Sequence, residues 1–256
     1  NTEIPVALAM RYGSMSIQKG FQELAQKGVD DILIVPLYPH FAMSSTETVL
    51  AKVEEIRSSK FPSIKTTEIP HFYNEPRYIK AMSDNIQEHL TDFDYDHILF
   101  SYHGIPERHI YKTDPTKSHC KIDKSCCEKK SEAHNTCYRH QCFETTKEIV
   151  KSLDLKEGSY SNSFQSRLLK DPWLKPYTDF ELIRLAEEGT KKLAVITPAF
   201  VADCLETLEE IAMEGKEEFL EAGGTDYKHI PCLNDNDDWV SVMNTWIDEW
   251  ATKINA

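Results

Sequence analysis

Apolar runs of strand length alternate with amphipathic helical stretches along nearly the whole chain, and this alternation most restricts how it can fold. "VALAM" (6–10) precedes "SIQKGFQELAQKG" (16–28), a predicted helix with Gly28 just past its end. The pattern repeats with predicted strands at 31–39, 64–70, 97–103, 159–166 and 191–200. Between them, helical spacing predicts helices at 44–59, 76–90, 142–153, 179–189 and 204–224, the last broken near Gly215. "DWVSVMNTWIDEW" (238–250) closes the pattern as a further helix. Such alternation predicts an α/β fold, with parallel sheets covered on both faces by helices. The 256 residues suffice for two such units, with a seam expected at 88–96.

In folds of this kind ligands bind at the carboxyl ends of the strands. Three stretches fall there: "SYHGIP" (101–106), "LYPHFAMSS" (37–45) and "TPAFVADCLE" (197–206). There is no GxGxxG and no P-loop, so nothing points to a nucleotide. No long apolar run suggests a transmembrane helix, and no signal-peptide pattern opens the chain. The sequence starts at Asn1 and reads straight into "IPVALAMRYG", so residues preceding Asn1 are expected. A formal net charge of −13 argues against a general nucleic-acid role, which needs a basic field.

Four groups of residues could carry chemistry. His103 ends a buried strand, where Gly104 allows close backbone approach and Pro106 fixes the turn. His109, among charges, reads as an exposed side chain. Asp203, Glu206, Glu210 and Glu214 are spaced by three, four and four, which puts four carboxylates on one helix face. A solvated face is the plainer reading of such a run. Its position directly after a strand end favours holding a divalent cation or relaying protons. Cys120, Cys126, Cys127, Cys137 and Cys142 crowd into 23 residues with no secretory signal, a density that suits a metal centre better than disulfides. Four thiolates can hold a [2Fe–2S] cluster or zinc; His119, His134 and His140 are alternative ligands. Finally, Tyr12, Tyr38, Phe41, Phe164, Trp173, Tyr177 and Phe200 gather near strand ends, where a flat ligand would need walls.

Six stretches, "AMRYG" (9–13), "PLYPHF" (36–41), "FYNEPRYI" (72–79), "LFSYHGIPERHI" (99–110), "SFQSRLLKDPWLKPYTD" (163–179) and "PAFVADCLETLEEI" (198–211), together resemble the ferrochelatase family. Members of this family insert Fe²⁺ into protoporphyrin IX to form protohaem. The resemblance runs over essentially the whole chain. It implies two Rossmann-like, chelatase-type domains with the porphyrin in the cleft between them. These are expected at 1–90 and at 91–235, the latter with a cysteine-rich insert at 118–142; a C-terminal helix (236–256) would pack back on the first. It makes His103 the essential active-site histidine and Glu206 the catalytic acidic residue. It also implies Arg11, Tyr12, Tyr38, Trp173 and Phe200 as porphyrin contacts, and His103, Glu206 and Glu210 as ligands to the substrate iron.

Some ferrochelatases carry a [2Fe–2S] cluster, so the resemblance also implies one on four of the five insert cysteines, with Zn²⁺ the alternative. Of the adjacent pair Cys126 and Cys127, one is expected to ligate. Three departures stand out. The N-terminal strand and the loop that covers the porphyrin are expected to be absent. Cys204 stands where many relatives have histidine. The cysteines lie inside the chain rather than at its C-terminus. The partners implied are protoporphyrin IX and ferrous iron, with a cytoplasmic setting and peripheral membrane contact by an enzyme whose product is apolar.

Metallation needs a bent ring, two protons removed and the iron stripped of water. Histidine is the side chain best suited to proton transfer near neutral pH, so His103 suits abstraction from a pyrrole N–H. The reverse assignment, with His103 on the metal and Glu206 as base, uses the same residues; ligand chemistry does not separate them. The alternatives are a coproporphyrin III ferrochelatase, a cobalt chelatase, or a non-catalytic metal- or haem-binding protein.

Overall fold

A computed structural model describes residues 4–168 and 170–254. It contains two parallel sheets with helices packed around them. Strand β1 (Asp31–Ile34) pairs with β2 (Lys65–Glu68). The second sheet holds β3 (His97–His103), β4 (Tyr160–Gln165), β5 (Lys192–Ile196) and β6 (Asp226–His229), all parallel, in the order β4-β3-β5-β6.

Local chemistry explains most of the helices. In α1 (Ile17–Gln26) the Ser16 hydroxyl accepts from Lys19 N–H at the start, and Gly28 follows the end at φ +77°. A left-handed backbone of this kind is where glycine stops a helix. Helix α2 (Thr48–Lys60) follows a π-helical turn at Met43–Glu47. Helix α3 (Pro76–Leu90) has Pro at its first position, and Glu75 accepts from Tyr78 N–H at 2.7 Å. Next come α4 (Glu107–Thr113), α5 (Tyr138–Ser152) and α6 (Thr178–Glu187). The predicted 204–224 helix is α7 (Leu205–Leu208), a π-helical turn (Glu210–Glu214) and α8 (Gly215–Glu221) in succession. Helix α9 (Asp237–Ile254) ends the described chain.

The expected strand at 6–10 is not one. Apart from a single bridge from Met10 to Ser16, the segment pairs with no strand among the described residues, and Val6, Leu8 and Met10 are exposed. An apolar run becomes a strand only where a neighbour takes up its N–H and C=O groups.

Two of the buried cores interleave along the chain, the main one taking Ala42 ahead of Val53 and Ile64 of the smaller. One small core joins α1, β1 and α2 through Phe21, Ile32, Val53 and Ile56, with Ile64 added just ahead of β2. The main core already includes Phe72 and the apolar stripe of α3, packed with β3, α5 and α9. Helix α9 lies against α3 through Trp239, whose ring is 5.5 Å from Phe72 and 5.8 Å from Tyr78.

His40, in "PLYPHF", ties the two sheets together. Thr145 of α5 donates its hydroxyl to Tyr73 O (2.7 Å), so it accepts from His40 Nε2–H (2.9 Å). Next to it, Phe41 N–H donates to the Gln141 side chain at 2.7 Å. Burial, with repulsion from His71 added, pushes the His40 pKa down to about 3. In the unfolded chain a histidine titrates near ~6.5. Between those values only the unfolded chain takes up the proton, so His40 costs stability as pH falls below the unfolded value. Between about pH 7 and pH 5 the loss is expected to be roughly 2 kcal/mol. Urea denaturation at both pH values should show it in the wild type and a correspondingly smaller change in His40→Gln; equal changes would refute it.

Candidate active site

Strand β3 is buried along its length and delivers His103 half-buried at its carboxyl end. There the imidazole Nδ1–H donates to Gly104 O at 2.6 Å, which leaves Nε2 as the basic nitrogen. Trp173 and Phe200 flank the ring at 6.4 and 6.1 Å between centroids. Trp173 is held by a bridge to Pro106, and its buried Nε1–H has no hydrogen-bond partner.

Gly104 is required by close approach. A Cβ there would lie 2.9 Å from Gln165 O and 3.2 Å from the Trp173 ring. Only glycine lets Gly104 N–H reach Gln165 O, at 2.8 Å.

Glu206 enters from α7. The Cys204 thiol and the residue's own backbone N–H hold its carboxyl below the usual range against partial burial, and His103 adds to the effect. His103, Cys204 and Glu206 thus form one electrostatic group beside Phe200 and Trp173.

The four carboxylates predicted to share a face do not form one row. Asp203 is taken up by Thr207, Asn234 Nδ2 (2.7 Å) and Cys232 N–H. Glu210 accepts from Ser166 N–H at 2.6 Å and from Gln165 Nε2 at 3.2 Å. Glu210 and Glu214 line a polar cavity of about 260 Å³ with Asp179, Glu218 and Arg167, a group that excludes Glu206. The π-helical turn explains the change, because its extra residue per turn breaks i, i+4 alignment. Glu210 thus braces the β4 end.

Two residues passed over in the sequence hold the site together. Gln165 lies opposite His103 in the β3–β4 register. Its side chain accepts from Ser101 (2.9 Å) and donates to Glu206 O (2.8 Å), so one buried amide links the His103 strand to the Glu206 segment. Its place at a strand end was the available signal. Tyr138 donates its hydroxyl to His103 O at 2.7 Å, a contact from beside the insert that no local pattern reveals.

Arg11, Tyr12 and Tyr38 gather on the first sheet's side. The Arg11 guanidinium lies 4.8 Å over the Tyr12 ring and donates to Thr48 Oγ1. Tyr12 is 75% exposed. Tyr38 has its pKa raised by burial and then by Tyr12.

The insert brings three thiols, Cys126, Cys127 and Cys137, around Arg139, which is 1% exposed. Cys120 and Cys137 share a hydrogen bond that favours a thiolate on Cys137, also stabilised by N–H groups at the start of α5, and keeps Cys120 protonated. Cys126 Sγ accepts from Arg139 Nη2, and Cys127 lies in the field of the same guanidinium. Cys142, expected among the ligands, is fully buried in the main core beside Tyr138. His119, His134 and His140 point ring nitrogens at the Cys126 and Cys127 carbonyls. Among the described residues, no three His, Cys, Asp or Glu side chains are arranged to hold a metal ion.

A family model described as ferrochelatase matches residues 1–251. A ferrochelatase of Opitutus terrae is 45% identical over 248 residues, covering 97% of this chain and 72% of that protein. One of Pseudomonas fluorescens is 43% identical over 254 residues, covering 99% and 74%. Another, of Pseudomonas syringae pv. syringae, is 44% identical over 240 residues, covering 94% and 70%. Among solved structures, SirB from Bacillus subtilis with Fe³⁺ is similar in fold, with a TM-score of 0.56 at 12% identity, covering 92% of this chain and 78% of that one.

Proposed function

This chain belongs to the ferrochelatase family, lyases that insert ferrous iron into protoporphyrin in haem biosynthesis, and from that premise we propose how its residues divide the work. His103 Nε2 takes a pyrrole proton. Its Nδ1–H is engaged by Gly104 O, so the basic nitrogen is the one left for substrate. Glu206 stays ionised beside it, ready to guide Fe²⁺ or carry a proton onward. Trp173 and Phe200 form one wall for the ring, and Arg11, Tyr12 and Tyr38 supply contacts from the other unit. A cleft that fits only the bent ring lowers the barrier, because that shape resembles the transition state. The carrying observation is the constellation of His103, Glu206, Trp173 and Phe200 beyond the carboxyl ends of β3, β4 and β5.

Glu206→Gln keeps the shape and removes the charge. It is expected to lower kcat for Fe²⁺ insertion by about 10²-fold with little change in KM for porphyrin. Glu210→Gln is expected to act mainly through the Gln165 and Ser166 bonds, lowering stability more than kcat. Steady-state metallation assays check both; normal turnover by Glu206→Gln would remove it from the mechanism.

The insert is proposed to carry a metal centre, a [2Fe–2S] cluster with zinc as the alternative. The support is its donor set: Cys120 and Cys137 in mutual contact, with one of Cys126 or Cys127, both on the same buried cation, and Cys142 in the field of Cys137. As folded here the set is not a finished site, so no step of the reaction runs through it. Anaerobic purification with iron, sulfide and zinc analysis decides between the two metals, and absence of all three overturns the centre.

No helix among the described residues is long and apolar enough to cross a membrane. A cytoplasmic setting with peripheral membrane contact is part of this proposal, supported by exposed Leu205, Leu208 and Met213 near Glu206.

A further inference from the structure

A cavity of about 470 Å³ opens beyond edge strand β4, between the insert and the start of α6. None of the residues grouped around His103 lines it. Tyr177, counted in the sequence among walls for a flat ligand, faces this second cavity instead. Its lining combines three cations, Lys124, Arg139 and Lys175, with an aromatic wall of Tyr177 and Phe180. The two carboxylates present offset little of that charge. Glu181 is already ion-paired with Arg184 at 2.7 Å, which leaves Glu107 alone against three cations.

For a chain of net charge −13, a cavity with an excess of cations is a local reversal. Among the described residues neither lysine makes an ion pair; each instead lies 5.5 Å from an aromatic ring, Lys124 over Phe143 and Lys175 over Tyr177. Arg139 is buried, and its Nε–H has no acceptor. A buried donor left unpaired is costly, and an anionic acceptor would recover that cost. Phe180 is 58% exposed, an unusual setting for a ring that serves only to pack. Arg167 stacks on both aromatic rings, at 4.5 Å from Tyr177 and 4.7 Å from Phe180, and so stiffens the wall. The volume matches a small molecule.

We propose that this cavity binds a small anionic ligand with a flat apolar body, an aromatic phosphate or carboxylate. Its anion meets Arg139, Lys124 and Lys175, and its ring lies against Tyr177 and Phe180. The site is separate from the metallation centre.

Calorimetry on the full protein, purified without oxygen so that any metal centre stays in place, tests this with four probes: 1-naphthyl phosphate, 1-naphthoate, neutral 1-naphthol and inorganic phosphate. At least one naphthyl anion should bind, about tenfold or more tighter than naphthol and than inorganic phosphate. Which of the two binds better identifies the ligand class. The exposed pair Lys124→Gln with Lys175→Gln should weaken that binding by about tenfold and leave protoporphyrin metallation unchanged. Tyr177→Leu should weaken the naphthyl anions selectively. Three results would each overturn the proposal: no binding of either anion at millimolar concentration, affinity unchanged in the lysine variant, or inorganic phosphate binding as tightly as the naphthyl anions.

Discussion

His103→Ala is expected to lower Fe²⁺ insertion into protoporphyrin by about 10²–10⁴-fold, the range a positioned general base supplies. The fold should survive. The side chain is half-buried, its ring bonds to the neighbouring Gly104 carbonyl, and the strand carrying it is fixed by pairing with β4 and β5. The thermal midpoint should therefore move little while the rate collapses, and circular dichroism with a single-turnover metallation assay separates the two. His103→Gln is the sharper version. It keeps a polar side chain in the space between Trp173 and Phe200 but has no group that titrates near neutral pH. If either variant, well folded, turned over near the wild-type rate, the proton acceptor would have to be sought elsewhere, with Glu206 next in line.

The second large effect is on stability. Trp239 is 1% exposed in a cluster of aromatic rings, 5.5 Å from Phe72, 5.8 Å from Tyr78 and 5.5 Å from Trp246. Trp239→Ala removes the ring that joins α9 to α3 and should cost about 3–5 kcal/mol, as large-to-small changes in a packed core do. The loss should also reach the site. Tyr78, in contact with Trp239, donates its hydroxyl to Pro198 O at 3.0 Å, in the segment that presents Phe200. Urea denaturation should show the fall in stability, with a rise in KM for porphyrin accompanying it. A cost below about 1 kcal/mol would mean the cluster collapses around the vacancy and α9 does not brace the site.

Much of the site was legible because its signals are local. The β3 strand was read at its true bounds, 97–103, from a continuous apolar run. Helix α3 was read at 76–90 from Pro at its start and helical spacing afterwards. His103 could be singled out because a strand end in an α/β fold is a ligand position whatever the rest of the sequence does. Glu206 followed by the same reasoning, and the family resemblance then supplied a reaction for the pair.

What the sequence determined by itself, then, was each segment's backbone habit and which segments end in reactive side chains, because propensity, caps and period act over a few residues. Partner choice was left to the tertiary structure. "VALAM" has strand composition, yet no strand among the described residues pairs with it, and it remains irregular and exposed. Glu210 has the spacing of a ladder rung, but a π-helical turn aims it at Ser166, 44 positions away. Cys127 and Cys142 lie in the same cysteine run, yet the helix that begins at Tyr138 buries Cys142 completely while Cys127 keeps some exposure. In each case the deciding term is a hydrogen bond or a buried contact with a distant residue. Such terms exist only once the sheets and helices have closed on one another, so no window of sequence contains them.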